Sequence, residues 1–249
     1  GSNNLAVTGS AIISGNVGIG TTTPNNLLQV LDLINFDNTD FNTKIGYQAG
    51  KNIVSGAANN TFFGYQAGLS SATLSTNAAD NNSAFGYQAL YSNTTGYNNT
   101  ANGMYALRDN TTGYNNTANG MYTLRSNTTG YQNTANGYAA LAFSITGYNN
   151  TANGYLSLYQ NTTGYQNTAN GVDALNSNTT GYNNTVNGYA ALRGNTTGYQ
   201  NTANGYWAGR FIADGITANQ TSNNSVYEGY DTRALADGDT NEIVIGSSA

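Results

Sequence analysis

Apolar positions in this chain follow neither a helical spacing nor a long alternation; they return every 17 residues. Leu90, Leu107, Leu124, Leu141, Leu158, Leu175 and Leu192 form one such series, each preceded by a small residue (Ala89, Ala106, Thr123, Ala140, Ser157, Ala174, Ala191). Two glycine series keep the same step, Gly96 to Gly198 and Gly103 to Gly205, with no insertion. Between them runs the polar text Asn-Thr-Thr-Gly-Tyr-(Asn/Gln)-Asn-Thr-Ala-Asn-Gly, followed by six looser positions. A short fixed period means a stack of coils, none of which can bury its apolar face alone. Asn, Thr and Gly are poor helix formers, so the coils are expected to be strands and turns. The fold expected is an all-β parallel β-solenoid of 17-residue coils. Two strand legs can be drawn per coil, Asn99–Asn102 and Thr94–Tyr97, with Leu and its small neighbour lining a thin interior. Parallel strands rise about 4.8 Å per rung, so seven coils span roughly 34 Å.

The pattern is looser at both ends. Short apolar runs at Leu5–Val7, Ala11–Ile13, Val17–Ile19 and Leu27–Val30, broken by Gly, Thr and Pro24, read as strands of a small N-terminal β module over 1–42. Degenerate coils follow over 43–92, at Lys44-Ile45-Gly46, Phe62-Phe63-Gly64 and Ala84-Phe85-Gly86. The wider gap from Gly64 to Gly86 predicts a bulging loop around 69–80. Seven regular coils occupy 93–209. After Gly205 the period breaks, and 210–249, with the apolar strand Ile243-Val244-Ile245, is expected to cap the open end.

Composition narrows the function. Charged residues are 8% of the chain, against about 25% in ordinary globular proteins. The 20 Tyr and the phased Leu argue against disorder despite this polarity. A net charge of −5 with seven Lys plus Arg speaks against nucleic acid or anionic membrane as partner. No apolar run approaches the roughly 20 residues needed to insert across a bilayer. Gly1-Ser2 reads as a cloning scar or a processing edge. Without Cys there is no disulfide framework, and without His the commonest general base and transition-metal ligand are both missing. No enzyme activity, catalytic residue, cofactor or metal is expected. Asp237-Gly238-Asp239-Thr240-Asn241-Glu242 matches only the first half of a calcium loop and reads as a solvated acidic turn. Asn93-Thr94-Thr95 and Asn98-Asn99-Thr100 satisfy the glycosylation pattern, which arises freely in such sequence.

Coils that close on an aliphatic residue plus Gly, as in Lys44-Ile45-Gly46 and Glu242-Ile243-Val244-Ile245-Gly246, resemble the head repeats of trimeric autotransporter adhesins. The stretch Gly15-Asn16-Val17-Gly18-Ile19-Gly20-Thr21-Thr22-Thr23-Pro24 is similar to a segment common in bacteriophage tail fibres and related bacterial surface proteins. The resemblance covers roughly 11–30 and 43–249. It implies a homotrimeric, left-handed β-roll fibre located outside the cell, on a virion tail or a bacterial surface. One departure stands out. Where the resemblance leads one to expect Ile or Val before the closing glycine, the seven central coils carry Asn102, Asn119, Asn136, Asn153, Asn170, Asn187 and Asn204.

Two columns are therefore candidate sites. The Asn102-type column reads either as amides hydrogen-bonded along the stack or as the lining of a hydrated trimer axis that holds water or ions. The column of Tyr97, Tyr114, Tyr131, Tyr148, Tyr165, Tyr182 and Tyr199 reads either as packing or, beside its Asn and Gln neighbours, as a stripe that holds sugars. The function expected is a structural and receptor-binding fibre with multivalent contacts to cell-surface glycans. Alternatives are a rigid spacer without its own ligand and, more remotely, an ice-binding solenoid built on the Thr95 and Thr100 rows.

Overall fold

A computed structural model describes residues 40–53, 56–69 and 79–247, together with the backbone of strands at 17–19, 28–30 and 34–37. Among the described residues, fifteen short strands form one continuous sheet in chain order. β1 (Val17–Ile19), β2 (Leu28–Val30) and β3 (Ile34–Asp37) precede β4 (Asn42–Ile45), and β3 runs antiparallel to both β2 and β4. From β4 onward every pairing is parallel. β5 (Thr61–Phe63) and β6 (Ser83–Phe85) lead into seven strands, β7 to β13, beginning at Thr100–Asn102 and ending at Thr202–Asn204. Each residue of β7 to β13 faces its equivalent 17 positions away, as Thr100 faces Thr117. The expected runs at Leu5–Val7 and Ala11–Ile13 lie outside the described residues, as do 70–78 of the bulging loop. That loop leaves the register intact, since Thr61 still pairs with Ser83.

One expectation needs correction. A coil contributes one strand, not two: Thr94, Thr95 and Gly96 form a turn whose three N–H groups all donate to the Thr111 carbonyl, at 2.9, 3.0 and 3.2 Å. The Thr–Thr–Gly step bends the chain because three successive donors reach one acceptor. The segment after Gly205 continues the sheet. A longer excursion separates Asn204 from its partner Glu228, after which β14 (Val226–Glu228) and β15 (Ile243–Ile245) extend the same stack.

The interior is narrow and half polar. Alternation buries Ala101 and its equivalents completely while Thr100 and Asn102 face outward, half-buried. Ala106 and Leu107 are fully buried, as the sequence pattern predicts. Between these apolar columns lie two further columns of buried asparagine, the Asn93 and Asn99 series. Asn99 Oδ1 accepts from the Asn116 backbone N–H at 3.0 Å, and Asn99 Nδ2 donates to the Gly113 carbonyl at 2.9 Å. Asn110 Nδ2 donates both to Asn93 Oδ1 in the previous coil, at 2.7 Å, and to Gly113 O in its own. Such amides close the turns and stitch each coil to the next. Satisfied in this way, polar groups can be buried at little net cost.

Both glycine series have a steric reason. Gly103 sits at φ +134°, and a Cβ there would stand 2.5 Å from the Gly120 carbonyl oxygen. At Gly96 the obstacle is the Asn93 amide and the Gly113 carbonyl, against which the backbone lies directly. The coil ends exchange volume between columns. Phe62 takes the position of Ala84 and Ala101, and glycine (Gly68) replaces leucine next door, where a Cβ would touch the Phe62 ring. Tyr227 does the same over Gly209 at the other end.

Candidate functional site

Stacking decides what each column can offer. The Tyr97 to Tyr199 rings form an unbroken pile with centroids 4.9–5.0 Å apart and planes within 7° of parallel. Face contact between carbons falls at about 3.5–4.0 Å, so a 4.9 Å centroid spacing means the rings are offset, the favoured arrangement. Most of each ring face is thereby taken by its neighbours. What faces solvent is a row of phenolic edges at one coil spacing, beside Asn98, Asn115 and Gln132 in the left-handed conformation (φ 54–55°). Asn98 Nδ2 donates to Asn115 Oδ1 at 3.0 Å.

The Asn102 column lies on the outward face of the sheet. Its amides donate one to the next at 2.7–2.8 Å from Asn102 to Asn204, and Asn204 donates to Glu228. Each keeps one N–H and part of its carbonyl free for an outside partner. At both ends this face is apolar and exposed: Phe63 and Phe85 are 52% and 44% accessible, Ile243 and Ile245 71% and 76%. The Thr95 row, by contrast, lies in the turn and not in the strand that carries Thr100. Asn93 is buried with its amide spent on Gly96 O, so glycosylation there is incompatible with the folded coil. The acidic turn uses its carboxylates on the chain: Asp237 accepts from Gln220 and Thr221 N–H, Asp239 from Ala236 N–H.

A third feature sits in the six looser positions and carries no repeat signal. Tyr105 and Tyr122 stack at 5.4 Å, and each has an arginine beside it, Arg108 and Arg125, with guanidinium to ring-centroid distances of 5.6 and 5.7 Å. One coil further the pattern breaks: Ala139 stands where Tyr122 stood, Ala142 where Arg125 stood and Phe143 where Ser126 stood. The parallel stack stops, Tyr138 and Tyr122 meet nearly at right angles (84°, 5.9 Å), and a hollow of about 490 Å³ opens. Phe143 and Tyr159, edge to face at 4.9 Å, form its far wall. A second, more apolar depression of about 470 Å³ lies beyond Phe143, beside Ile145. The hollow's size is that of a small-ligand site. Its two arginines differ: Arg108 donates through Nε to Asp109 at 2.8 Å, whereas Ser126 takes the Asp109 position in the next coil and Arg125 pairs with no carboxylate among the described residues. Only the run of departures at 139, 142 and 143 would have marked this place in the sequence.

No protein family, curated protein or solved structure matches the chain. The geometry alone therefore carries the functional reading.

Proposed function

We propose that the chain is the shaft and receptor-contacting part of an extracellular fibre, a homotrimer of tail-fibre or adhesin type that holds cell-surface glycans through many weak contacts. The observation that carries this reading is the exact repetition of one solvent-facing group. Seven tyrosine edges flanked by amides recur at 4.9–5.0 Å, so a contact made once is offered seven times per chain. Repetition raises avidity through effective concentration without any deep pocket. Because the ring faces are occupied, the contacts are hydrogen bonds from phenol and amide groups to sugar hydroxyls. The exposed Phe63, Phe85, Ile243 and Ile245 support the trimer, since an apolar patch at each end of one flat face gives like chains a surface to share.

Glycan-array binding of the full chain tests the reading, with Tyr148→Ala and Tyr165→Ala as variants. Binding should weaken while the melting temperature changes little; unchanged binding with a large fall in melting temperature would show a packing column instead. A solution mass of three times 26.0 kDa is expected for the trimer. The spacer alternative draws on the unbroken register from β7 to β13, which makes any coil replaceable by another. Removing two whole coils, 34 residues, should leave binding intact if recognition lies elsewhere, and reduce it if the repeated row is the binding surface. Thr95 and Thr100 sit on different elements, which gives an ice-binding surface less support.

A further inference from the structure

We propose that the hollow between Tyr122 and Tyr159 is a distinct binding site for an acidic saccharide, one whose sugar ring carries a carboxylate. The proposal rests on the glycan reading above but on different residues. Three observations converge. Loss of the aromatic at Ala139 ends the parallel stack at Tyr122; Tyr138 meets that ring at a steep angle, and the space the missing ring would fill is the hollow. A partly apolar sugar ring fits into such an aromatic-lined space, as it cannot enter the closed Tyr97 pile.

The second observation is charge. In a chain with seven cationic side chains, three arginines are tied to carboxylates: Arg108 to Asp109, Arg193 to Asp173 and Arg233 to Asp231. Arg125 is not. It lies along the Tyr122 ring with its Nε shut from solvent and without an acceptor, so its terminal nitrogens are what the hollow presents to an anion. A planar guanidinium beside an aromatic face matches a pyranose with a carboxylate at its edge. Third, the opposite wall is aromatic as well, with Phe143 and Tyr159 in edge-to-face contact, so a ring entering the hollow is flanked on two sides. An acidic peptide would satisfy Arg125 but would leave the paired aromatic walls without a flat partner.

Titration calorimetry on the full chain with a short oligogalacturonate, and with the same oligosaccharide reduced to its neutral alcohol form, tests the site. The acidic form should bind, and reduction should weaken it about tenfold or more, the scale of a lost charge-assisted contact. Arg125→Gln should produce a similar loss, and Ala139→Tyr, which restores the neighbouring coil's side chain and fills the hollow, should abolish binding. Arg193→Gln, a charge control elsewhere on the rod, should change affinity less than about twofold. Circular dichroism and melting curves establish that each variant is folded. Equal binding of the acidic and reduced forms, indifference to Arg125→Gln, or tighter binding of polyglutamate would overturn the proposal. The two readings separate cleanly. Neutral glycans lost on Tyr148→Ala but not on Arg125→Gln would retain the fibre surface and remove this site. The reverse pattern would retain the site and remove the tyrosine row, and no binding to any saccharide would remove both.

Discussion

The side-chain carbonyl of Asn127 lacks a donor because the residue above it, Ser144, has no amide. In neighbouring coils the same bond is made, from Asn110 to Asn93 and from Asn195 to Asn178. Ser144 thus interrupts a buried amide ladder twice, leaving Asn127 Oδ1 unpaired and Asn161 Nδ2 with Gly164 O as its acceptor. An unsatisfied buried acceptor costs about 1–3 kcal/mol. Ser144→Asn should therefore stabilise the rod by about 1–2 kcal/mol, read as a higher denaturant midpoint at unchanged slope. A fall in midpoint would show that the site cannot accommodate the amide.

Asn133 illustrates the opposite case. Its carbonyl accepts from the Asn150 backbone and amide, and its own amide donates to Gly147 O and Asn116 Oδ1. Asn133→Ala strands several buried groups at once, and a loss of about 3 kcal/mol is expected. Asn102→Ala, on the outward ladder, removes bonds that water can replace and should cost less than about 1 kcal/mol. Equal losses at the two sites would contradict the division between interior and surface ladders.

Gly120 sits at φ +136° with the Gly137 carbonyl across from it. Gly120→Ala combines a disfavoured backbone with a backbone clash, so about 3 kcal/mol or more of stability should be lost. Hydrogen exchange should show the loss spreading to the coils above and below, because each coil is the template for the next.

Phe62 and Gly68 exchange volume, and a double-mutant cycle can measure it. Phe62→Ala opens a void and should cost about 3–5 kcal/mol. Gly68→Leu alone drives a side chain into the Phe62 ring. Together they recreate the Ala84/Leu90 pair of the following coil. The double variant should be more stable than the sum of its parts by about 2 kcal/mol, and an additive result would mean the two positions do not share space.

Much of this architecture could be read from the sequence, because a period that never slips leaves few ways to fold. The Leu107 and Ala106 columns, the 17-residue register and the placing of Thr100 and Asn102 on one strand face follow from spacing alone. The buried role of Asn93 and Asn99 does not. Hydropathy places an asparagine at the surface, and only the arrangement of turn carbonyls around these side chains makes burial affordable. The Thr94–Tyr97 leg reads as a strand because Thr favours strands locally, while three N–H groups converging on Thr111 O bend it. The hollow is not legible for a different reason: it arises where the repeat fails, at Ala139, Ala142 and Phe143, and a feature that occurs once leaves no period to read.

The ladders also have a direction. Apart from the break at Ser144, the Asn110-type amides donate back toward the coil before them, and the Asn99-type carbonyls accept from the coil after them. Because the middle coils are interchangeable, a nascent thread could misalign by one whole turn and still find nearly all of these links. What forbids such ratcheting is the set of irregular landmarks: Ser144, the Phe62–Gly68 exchange and the long excursion before Glu228. Each fits at a single height on the rod. The flaws in the repetition act as index marks that tell an otherwise uniform staircase which step it is on.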